Sequence, residues 1–366
     1  MLSMKRFMEA GEMSEKGRHC LGIALAAAAL ALNIWPGTRA SVQVSSAQAD
    51  AGEVRTLIPG GQAVGVALRT QGVLVVSRAS RQEIKTPLRV GDVILSVQGE
   101  SVLSAQELAR RVSALECDSV ELSVLRGGRE ITVQAAVPVS ETDGRRRLGV
   151  WVRDSTAGVG TLSYIDPRTQ AYGALGHAIV DGDTGEMLSV LDGAIMQARV
   201  VGVTKGESGR AGELKGSFLK ENRQIGTLST NCAYGIYGTI DTLPETLLYP
   251  KGLPVGGREH VHPGKATILS TVDEGGPMEY SVEILRCFAQ DKPSQKGMIL
   301  RVTDKRLLEK TGGIVQGMSG SPIIQDGRMI GAVTHVYLSD STQGYGMYIE
   351  WMLEQSDGME AQQTAA

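Results

Sequence analysis

Short runs of aliphatic and β-branched residues recur downstream of the first fifty residues, and polar or glycine-containing turns separate them. The first runs that predict strands are Val64–Leu68, Val73–Val76, Val93–Val97, Val120–Leu125 and Ile131–Val137. One helix is predicted, because Leu108, Val112 and Leu115 form an apolar stripe, while Ser104 and Glu107 have the spacing of a capping box. The pattern therefore predicts a small β-rich module with one helix over residues 57–137.

The second half of the chain is again rich in strand patterns. Helical patterns are scarce before Lys305–Lys310 and Ile349–Glu354, and no alternation of strands and helices is visible. The 46 glycines and only 3 phenylalanines indicate many turns and a core of Val, Ile and Leu. We expect a mainly β fold, with a linker at 138–147, a two-lobed β-barrel domain at 148–355 and a polar tail at 356–366.

The N-terminal segment, residues 1–50, has the pattern of an export signal. Basic residues precede an uncharged run from Cys20 to Leu32, which Trp35-Pro36 closes. This run is shorter than the roughly 20 residues that a spanning helix needs, although the residues after it extend it to a short anchor. Ala47-Gln48-Ala49 is a candidate cleavage site. A cleaved signal peptide and a retained signal-anchor both stay open, and either places the folded part outside the cytoplasm.

Composition excludes several classes of function. A net charge of -3, from 37 basic and 40 acidic residues, gives no basic field for nucleic acid, and no nucleic-acid-binding motif is present. Beyond the export segment the cysteines are Cys117, Cys232 and Cys287, an odd set without zinc or redox spacing, so free thiols are predicted. His260 and His262 lack nearby ligands in a fixed pattern. We therefore expect neither a metal nor a cofactor.

The candidate catalytic motif is Gly317-Met318-Ser319-Gly320-Ser321-Pro322. Glycines on either side of Ser319 allow a strained turn that presents the hydroxyl and leaves the Gly317 and Ser319 N–H groups free as an oxyanion hole. The following residues read as strand, Asp326-Gly327 turn and strand. A nucleophilic serine ahead of a β-hairpin is the prediction.

A base must come from five histidines. His177 lies among small residues at the edge of an apolar run, and its position ahead of the serine is the order of chymotrypsin-like peptidases. A lone histidine there is also compatible with a structural role. His335 follows the serine, as in α/β-hydrolases, but Ser321 and the hairpin depart from a nucleophile elbow, so His335 is interpreted as a strand residue near the cleft.

The orienting acid is left open by position alone, and the candidates are Asp154, Asp181, Asp183, Asp192 and Asp304. Asp304 also has a structural explanation. It precedes a short helical pattern that ends at Gly312-Gly313, so it reads equally as a helix cap.

The segment Leu88–Gly99 (LRVGDVILSVQG), followed by the predicted helix and two strands, resembles the PDZ domains of secreted proteases. Such domains bind peptides by strand addition. The resemblance implies a carboxylate-binding turn at Gly60, Gly61, Gln62, Ala63, Val64 and Gly65. A small β-domain that only packs against its neighbour is the alternative.

Besides the serine block, four further segments are distinctive: Leu57–Gly61, Trp151–Gly160, Gly173–His177 and Thr303–Gly317. With them, nearly the whole chain resembles the SpoIVB peptidases (stage IV sporulation protein B) of endospore-forming bacteria. This resemblance implies Ser319 as nucleophile, His177 as general base and Asp304 as orienting carboxylate.

The same resemblance implies a role. Such a peptidase is exported from the forespore, processes itself and cleaves a membrane-tethered regulator of an intramembrane protease, so that a mother-cell sigma factor becomes active. It would then act at the forespore membrane or in the space between the forespore and mother-cell membranes. The competing hypothesis is a PDZ scaffold whose protease-like domain has lost catalysis.

Overall fold

The computed structural model describes residues 54–79, 86–141, 143–217 and 224–364. The predicted export segment lies outside these residues. No helix within these ranges is long and apolar enough to cross a membrane.

Strands dominate the first part of the described chain. Its elements are, in order, β1 (Thr56–Pro59), β2 (Ala63–Arg78), β3 (Val93–Val97), β4 (Glu100–Ser101), α1 (Ala105–Ser113), β5 (Ser119–Arg126), β6 (Arg129–Ala136), β7 (Val150–Ile165), β8 (Ala171–Ala174), β9 (Val190–Gln197), β10 (Arg199–Thr204), β11 (Glu213–Ser217), β12 (Gln224–Thr227), β13 (Thr230–Cys232) and β14 (Gly235–Thr239). Ser104 caps α1 as expected, and Glu107 accepts from the Leu103 N–H.

The second part adds a barrel and two helices. Its elements are β15 (Leu253–Pro254), a 3₁₀ turn (Arg258–His260), β16 (Gly264–Thr271), β17 (Pro277–Cys287), β18 (Met298–Val302), α2 (Lys305–Thr311), β19 (Pro322–Gln325), β20 (Arg328–Val336), β21 (Gln343–Tyr348) and α3 (Ile349–Thr364). The tail predicted at 356–366 is therefore helical as far as Thr364. Its Ser356 is buried and accepts from the Tyr164 hydroxyl, which joins α3 to β7.

The second lobe is a closed barrel in the order β16-β17-β18-β21-β20-β19. Pairing of Thr267 with Ile324 joins the first and fourth strands and closes it. Ile268, Leu300 and Val333 are fully buried inside, as the alternation of apolar residues along the strands requires. Closure removes every free edge from this lobe.

The first lobe repeats the same strand order, as β2-β7-β8-β14-β12-β9. Ladders join β2 to β7, β7 to β8, β8 to β14, β9 to β12 and β9 to β2. A bridge between Gly226 and Ile240 links β12 to the end of β14. A side chain at Gly226 would overlap the Thr239 carbonyl, so glycine permits this approach. In both lobes the strands follow the order first, second, third, sixth, fifth, fourth, and the predicted mainly β, chymotrypsin-like barrel architecture is confirmed.

A small module interrupts the first lobe. The inserted module (residues 73–153) consists of the second half of β2, β3 to β6, α1 and the start of β7, and it has a core of its own that includes Val73, Leu108 and Leu122. The long strands β2 and β7 pair with each other both in the first lobe and in the module, so the module lies between them as an insertion.

The observed boundaries of this module differ from the predicted 57–137. Ile58, Val64 and Leu68 belong to the core of the first lobe, because the first half of β2 pairs with β9 there. The stretch predicted as a linker, 138–147, folds back through a bridge between Val139 and Arg146 and leads directly into β7. It is a turn at the edge of the module.

Candidate active site

The serine block forms a tight loop between α2 and β19. Gly317 and Gly320 have φ values of 95° and 96°, in the region that favours glycine. A side chain at Gly320 would overlap the Thr161 carbonyl of β7. Thr161 binds the loop twice, since its N–H donates to Ser319 O at 3.1 Å and its hydroxyl donates to Gly317 O at 2.7 Å. Strand β7 of the first lobe thus fixes the loop that carries the serine.

Two backbone donors of this loop are free. In the described chain, neither the Gly317 N–H nor the Ser319 N–H donates a hydrogen bond, whereas Met318 N–H bonds to Val315 O and Gly320 N–H bonds to Val333 O. The Met318 and Gly320 N–H groups are therefore hydrogen-bonded within the protein, and those of Gly317 and Ser319 remain for a ligand. Two unpaired N–H groups beside a serine hydroxyl are the arrangement that stabilises a tetrahedral oxyanion.

The Ser319 hydroxyl rests on the backbone of β20. Its Oγ donates to Thr334 O at 2.8 Å. The register between β20 and β21 shifts between Val333 and His335, so Thr334 lies at a bulge, and bulges re-aim side chains beside functional sites. The Thr334 hydroxyl donates to Gln295 O at 2.8 Å, which anchors this segment from the other side.

His177 reaches the same segment from the first lobe. Leu175 and Gly176, with φ values of 69° and 70°, turn the chain sharply after β8. A side chain at Gly176 would lie 3.0 Å from Thr334 Cγ2, so the two segments are in close contact. His177 Nδ1 is 2.9 Å from Ala178 O. A proton on Nδ1 would donate to that carbonyl and leave Nε2 as the basic nitrogen.

Ser319 and His177 therefore both lie beside the segment Thr334–His335: Ser319 bonds to the Thr334 carbonyl, and the His177 ring lies beside that of His335. Among the described residues no hydrogen bond joins the Ser319 hydroxyl to His177, and any transfer of its proton to the imidazole requires the hydroxyl to leave Thr334 O first. Rotation about one side-chain torsion is a fast motion. The structure brings together the predicted nucleophile, the predicted base and the predicted oxyanion donors.

His335 lies directly beside His177, as a strand residue of β20. The two ring centroids are 5.6 Å apart, with planes tilted by 44°. Burial, then the neighbouring His177 and Lys296, lower the pKa of His335 to about 4, so it is neutral at pH 7. In the described part of the chain its Nδ1 is buried without a partner. A second, neutral imidazole is thus part of the site.

Asp304 caps helix α2. Its carboxylate accepts from the Arg306 N–H at 2.9 Å, and the Arg306 guanidinium binds it at 2.7 Å. The Arg306 hydrogen bond holds the pKa of Asp304 at about 2. Across the described residues, no hydrogen bond or ion pair joins Asp304 to His177. The cap bonds, the Arg306 ion pair and the Ser281 N–H account for the contacts of this side chain in the described chain, and its orienting role stays a prediction.

The other candidate acids serve local structure. Asp181 is buried, binds Arg153 and accepts from the Thr184 N–H in the turn after His177. Asp192 forms an ion pair with Arg69. Asp183 also binds Arg153, and Asp154 accepts from the first N–H of α1. Within the described ranges no group of three or more His, Cys, Asp or Glu side chains is placed to hold a metal ion.

Asn231 was not predicted, yet it binds the segment that carries His177. Its Oδ1 accepts from the Ile179 N–H at 2.8 Å, and its Nδ2 donates to the Ile179 and Leu188 carbonyls, each at 2.8 Å. Asn231 lies in the β13–β14 hairpin, 52 residues beyond Ile179. No local sequence pattern indicates a contact over that separation.

The turn predicted to bind a peptide carboxylate, Gly60–Gly65, lies in the first lobe and is buried. Gly60 N–H and Gly61 N–H donate to the Ser163 and Leu162 carbonyls, and a side chain at Gly61 would lie 2.7 Å from Leu269 Cβ. Because its backbone is consumed by these contacts, this turn is closed to a peptide.

A different edge of the inserted module is open. Residues Val150–Arg153 of β7 pair with β2 on one side only, and in the described part of the chain no strand covers the other side. Helix α1 runs beside this edge, with its first N–H on Asp154. Just before the strand, the Leu148 and Gly149 N–H groups have no partner among the described residues. Free amides beside an unpaired strand edge suit the C-terminus of an extended peptide.

Three features define a serine peptidase of the chymotrypsin-like type. They are a serine between glycines with positive φ, two free amides beside it, and a histidine from the other lobe beside the same strand segment. The profile of the SpoIVB peptidase S55 family matches residues 144–353, more than half of the chain. The chain belongs to this family and is a serine endopeptidase.

Solved structures with similarity to the chain share little sequence with it. The Rv3671c protease from M. tuberculosis in its active form is 14% identical and covers 55% of this chain and 73% of its own, with a TM-score of 0.30. The HtrA-type protease AlgW with a decapeptide is 9% identical, covers 83% of this chain and 66% of its own, and has a TM-score of 0.35.

The PDZ domain of the SdrC-like protein from Listeria monocytogenes is 19% identical to the chain. It covers 22% of this chain and 87% of its own, with a TM-score of 0.21. No curated protein matches the chain.

Proposed function

We propose that Ser319 is the nucleophile of this peptidase and His177 its general base. The observation that carries the assignment is the pair of free amides, Gly317 and Ser319, beside a hydroxyl that bonds to Thr334 O, while the turn that carries His177 contacts the Thr334 side chain. Of the serines in this block, Ser319 alone lies between the two glycines with positive φ, while Ser321 is fully buried.

The reaction follows from this geometry. The Ser319 hydroxyl rotates to His177 Nε2, gives up its proton as Oγ attacks the peptide carbonyl, and the two amides bind the resulting oxyanion. His177 then protonates the leaving amine, and the acyl-enzyme forms. A water molecule, deprotonated by the same imidazole, attacks the ester and releases the acid product. The Ala178 carbonyl holds the His177 Nδ1 proton throughout.

The biological role proposed for the chain is that of an exported signalling peptidase. Membership of the SpoIVB family supports a protease that processes itself and cleaves a membrane-tethered regulator during sporulation, at the forespore membrane. The inserted module is proposed as its peptide-binding PDZ domain, with the ligand on the β7 edge at Leu148–Arg153. Protein and peptide chains are then the partners, and no cofactor is required.

Labelling with a fluorophosphonate tests the chemistry directly. The full chain should react at Ser319, and Ser319→Ala and His177→Ala should lose peptide hydrolysis by several orders of magnitude, as in triad deletions generally. Ser321→Ala is the matched control, because the Ser321 hydroxyl is buried and lacks a partner in the described chain, so its loss leaves activity intact. Parental activity in Ser319→Ala would refute Ser319 as the nucleophile, whereas a parent that neither hydrolyses peptides nor reacts with the label would favour the inactive scaffold.

The signalling role needs an experiment in a sporulating host. Replacing the chain by Ser319→Ala should leave the membrane-tethered regulator uncut and the mother-cell sigma factor inactive, as read by a reporter for its promoter. Normal reporter activity with a catalytically dead chain would contradict the role while leaving the peptidase assignment intact.

A further inference from the structure

The loop that follows His177 is held by one side chain. Asn231 accepts from Ile179 N–H and donates to the carbonyls of Ile179 and Leu188. Ile179 and Leu188 are the two stems of the loop, since Leu188 N–H donates back to Ile179 O at 3.2 Å. Both polar atoms of the Asn231 amide thus hold the two stems together. One of these stems, Ile179, lies only two residues after His177 in the chain.

The contact to Ile179 has a chemical consequence. The Ile179 N–H and the Ala178 carbonyl belong to one peptide group, because the bond between these residues joins them. Asn231 Oδ1 accepts from the N–H of that group at 2.8 Å, and His177 Nδ1 lies 2.9 Å from its oxygen. Hydrogen bonds in such a chain polarise one another, so the bond from Asn231 makes the Ala178 oxygen a stronger acceptor.

We propose that Asn231 is the positioning residue of the catalytic base, acting on His177 through the Ala178–Ile179 peptide group. This rests on the proposed role of His177. The peptide group fixes the Nδ1 proton and stabilises the imidazolium that forms during attack, which are the tasks of the orienting carboxylate in a Ser-His-Asp triad. Asn231 in turn fixes the plane of the peptide and strengthens its carbonyl.

No carboxylate competes for this position in the structure. Within the described residues, the Ala178 carbonyl is the hydrogen-bond partner of His177, and the titratable groups facing the imidazole are His335 and, next to His335, Lys296. Asp304 is engaged at the start of α2. The geometry therefore assigns an uncharged relay, which runs from Asn231 through the Ala178–Ile179 peptide group to His177.

Two variants of the full chain separate the relay from a purely structural clamp. Asn231→Ala removes the acceptor of the Ile179 N–H. Asn231→Asp keeps that acceptor, loses the Nδ2 donor to the Ile179 and Leu188 carbonyls, and adds a negative charge. Thr230→Asp is the matched control, because it places the same charge one residue away without a bond to Ile179. Each is assayed for kcat, KM and fluorophosphonate labelling between pH 5 and pH 9, at a temperature where unfolding curves show the variant to be folded.

Asn231→Ala should lower kcat and the labelling rate about 10- to 100-fold, as loss of a supporting hydrogen-bond partner commonly does, with little change in KM. The acidic limb of its rate profile should move to lower pH, because the imidazolium loses support. Asn231→Asp should move that limb to higher pH by more than Thr230→Asp does. Should Asn231→Ala fail to fold, this second shift decides.

The proposal is overturned if folded Asn231→Ala retains kcat within twofold of the parent, or if neither variant of Asn231 moves the acidic limb relative to Thr230→Asp. A failure of this proposal can be distinguished from a failure of the proposed function. If His177→Ala itself keeps full activity, the base assignment is at fault, whereas an inactive His177→Ala beside a fully active Asn231→Ala removes only the relay.

Discussion

Asp304→Asn and Asp304→Ala remove different parts of the interactions at the start of α2. The carboxylate accepts from the Arg306 N–H, the Leu307 N–H and the Ser281 N–H, and it forms an ion pair with Arg306. Asparagine keeps an acceptor for the helix amides and loses the charge, whereas alanine loses both. The pair of variants therefore separates the cap from the ion pair.

The size of the effect follows from the pKa of Asp304, which the Arg306 hydrogen bond lowers from 3.8 to about 2. A pKa shift of this size corresponds to at most about 2 kcal/mol of unfolding free energy. The Arg306 side chain is 59% exposed, so solvent screening reduces the share of the ion pair, while loss of an N-cap costs about 1 kcal/mol. We expect Asp304→Ala to lose about 1–2 kcal/mol of unfolding free energy and Asp304→Asn about half of that.

The pH dependence has a definite sign. Because folding lowers this pKa, the stabilisation by the charged form is complete above pH 4 and is lost as the pH falls towards 2. The difference in unfolding free energy between the parent and Asp304→Asn should therefore shrink below pH 4. Urea denaturation at several pH values measures it, and Asp273→Asn, which breaks the ion pair with Lys310, is the matched control.

Activity decides between the two roles of Asp304. If Asp304 serves only as a helix cap, kcat/KM of the folded Asp304→Asn variant should stay within a few-fold of the parent. A loss of about 10⁴-fold at unchanged stability would be the signature of an orienting carboxylate and would refute this reasoning. That result would also require a rearrangement that frees the carboxylate from Arg306.

Three further substitutions give sharp outcomes. Burial lowers the pKa of His335 to about 4, so between pH 6.5 and 4 the unfolded chain binds a proton that the folded chain does not. Stability should fall as the pH is lowered through this window, by less than the roughly 3 kcal/mol of a fully buried group, because solvent screens the partly exposed ring. His335→Gln should flatten that fall in denaturation curves. Gly320→Ala should give a folded chain that no longer reacts with a fluorophosphonate, since its new methyl group overlaps the Thr161 carbonyl; full labelling would contradict the loop geometry. Arg153→Gln leaves buried Asp181 without its ion-pair partner, so the melting temperature should drop, and an unchanged value would refute the contribution of this pair.

Local sequence was sufficient for the parts of the site that local chemistry determines. Glycines around Ser319 predict a left-handed loop, and Gly317 and Gly320 adopt it. Asp326-Gly327 predicts the hairpin turn, and both residues have positive φ there. Ser104 and Asp304 predict helix caps, and each side chain accepts from its helix. In each case the residues that act on one another lie within three positions in the chain.

Long-range pairing accounts for what sequence patterns missed. The pairing of Ala63 with Thr161 joins residues separated by the whole inserted module, and no periodicity encodes that partner. The resemblance to PDZ domains places Gly60–Gly65 in the module, whereas this pairing puts them in the first lobe. The role of Asn231 cannot be predicted for the same reason, because its partners Ile179 and Leu188 lie in the loop between β8 and β9, 52 and 43 residues earlier in the chain.

The interleaving of module and lobe determines how peptide binding must be tested. Deleting residues 57–137 would remove β2, whose first half pairs with both β7 and β9 in the first lobe. Loss of processing in that deletion would report a broken barrel, so it carries no information on the ligand edge. A substitution confined to the edge is needed, and Gly149 is the suitable position because its φ is 71° and its N–H has no partner among the described residues.

Gly149→Val should disable the edge while leaving the catalytic loop untouched. A β-branched residue in the left-handed region costs roughly 1–2 kcal/mol, which is relieved if the turn changes shape and withdraws the Leu148 and Gly149 amides. A fluorescent decapeptide ending in valine should bind the parent and lose affinity at least tenfold on the variant, with hydrolysis of a short substrate unchanged. The same decapeptide with an amidated C-terminus should bind the parent poorly, because the amides are placed for a carboxylate. Equal binding of both peptides, or full binding by Gly149→Val, would show that the β7 edge is not the ligand site.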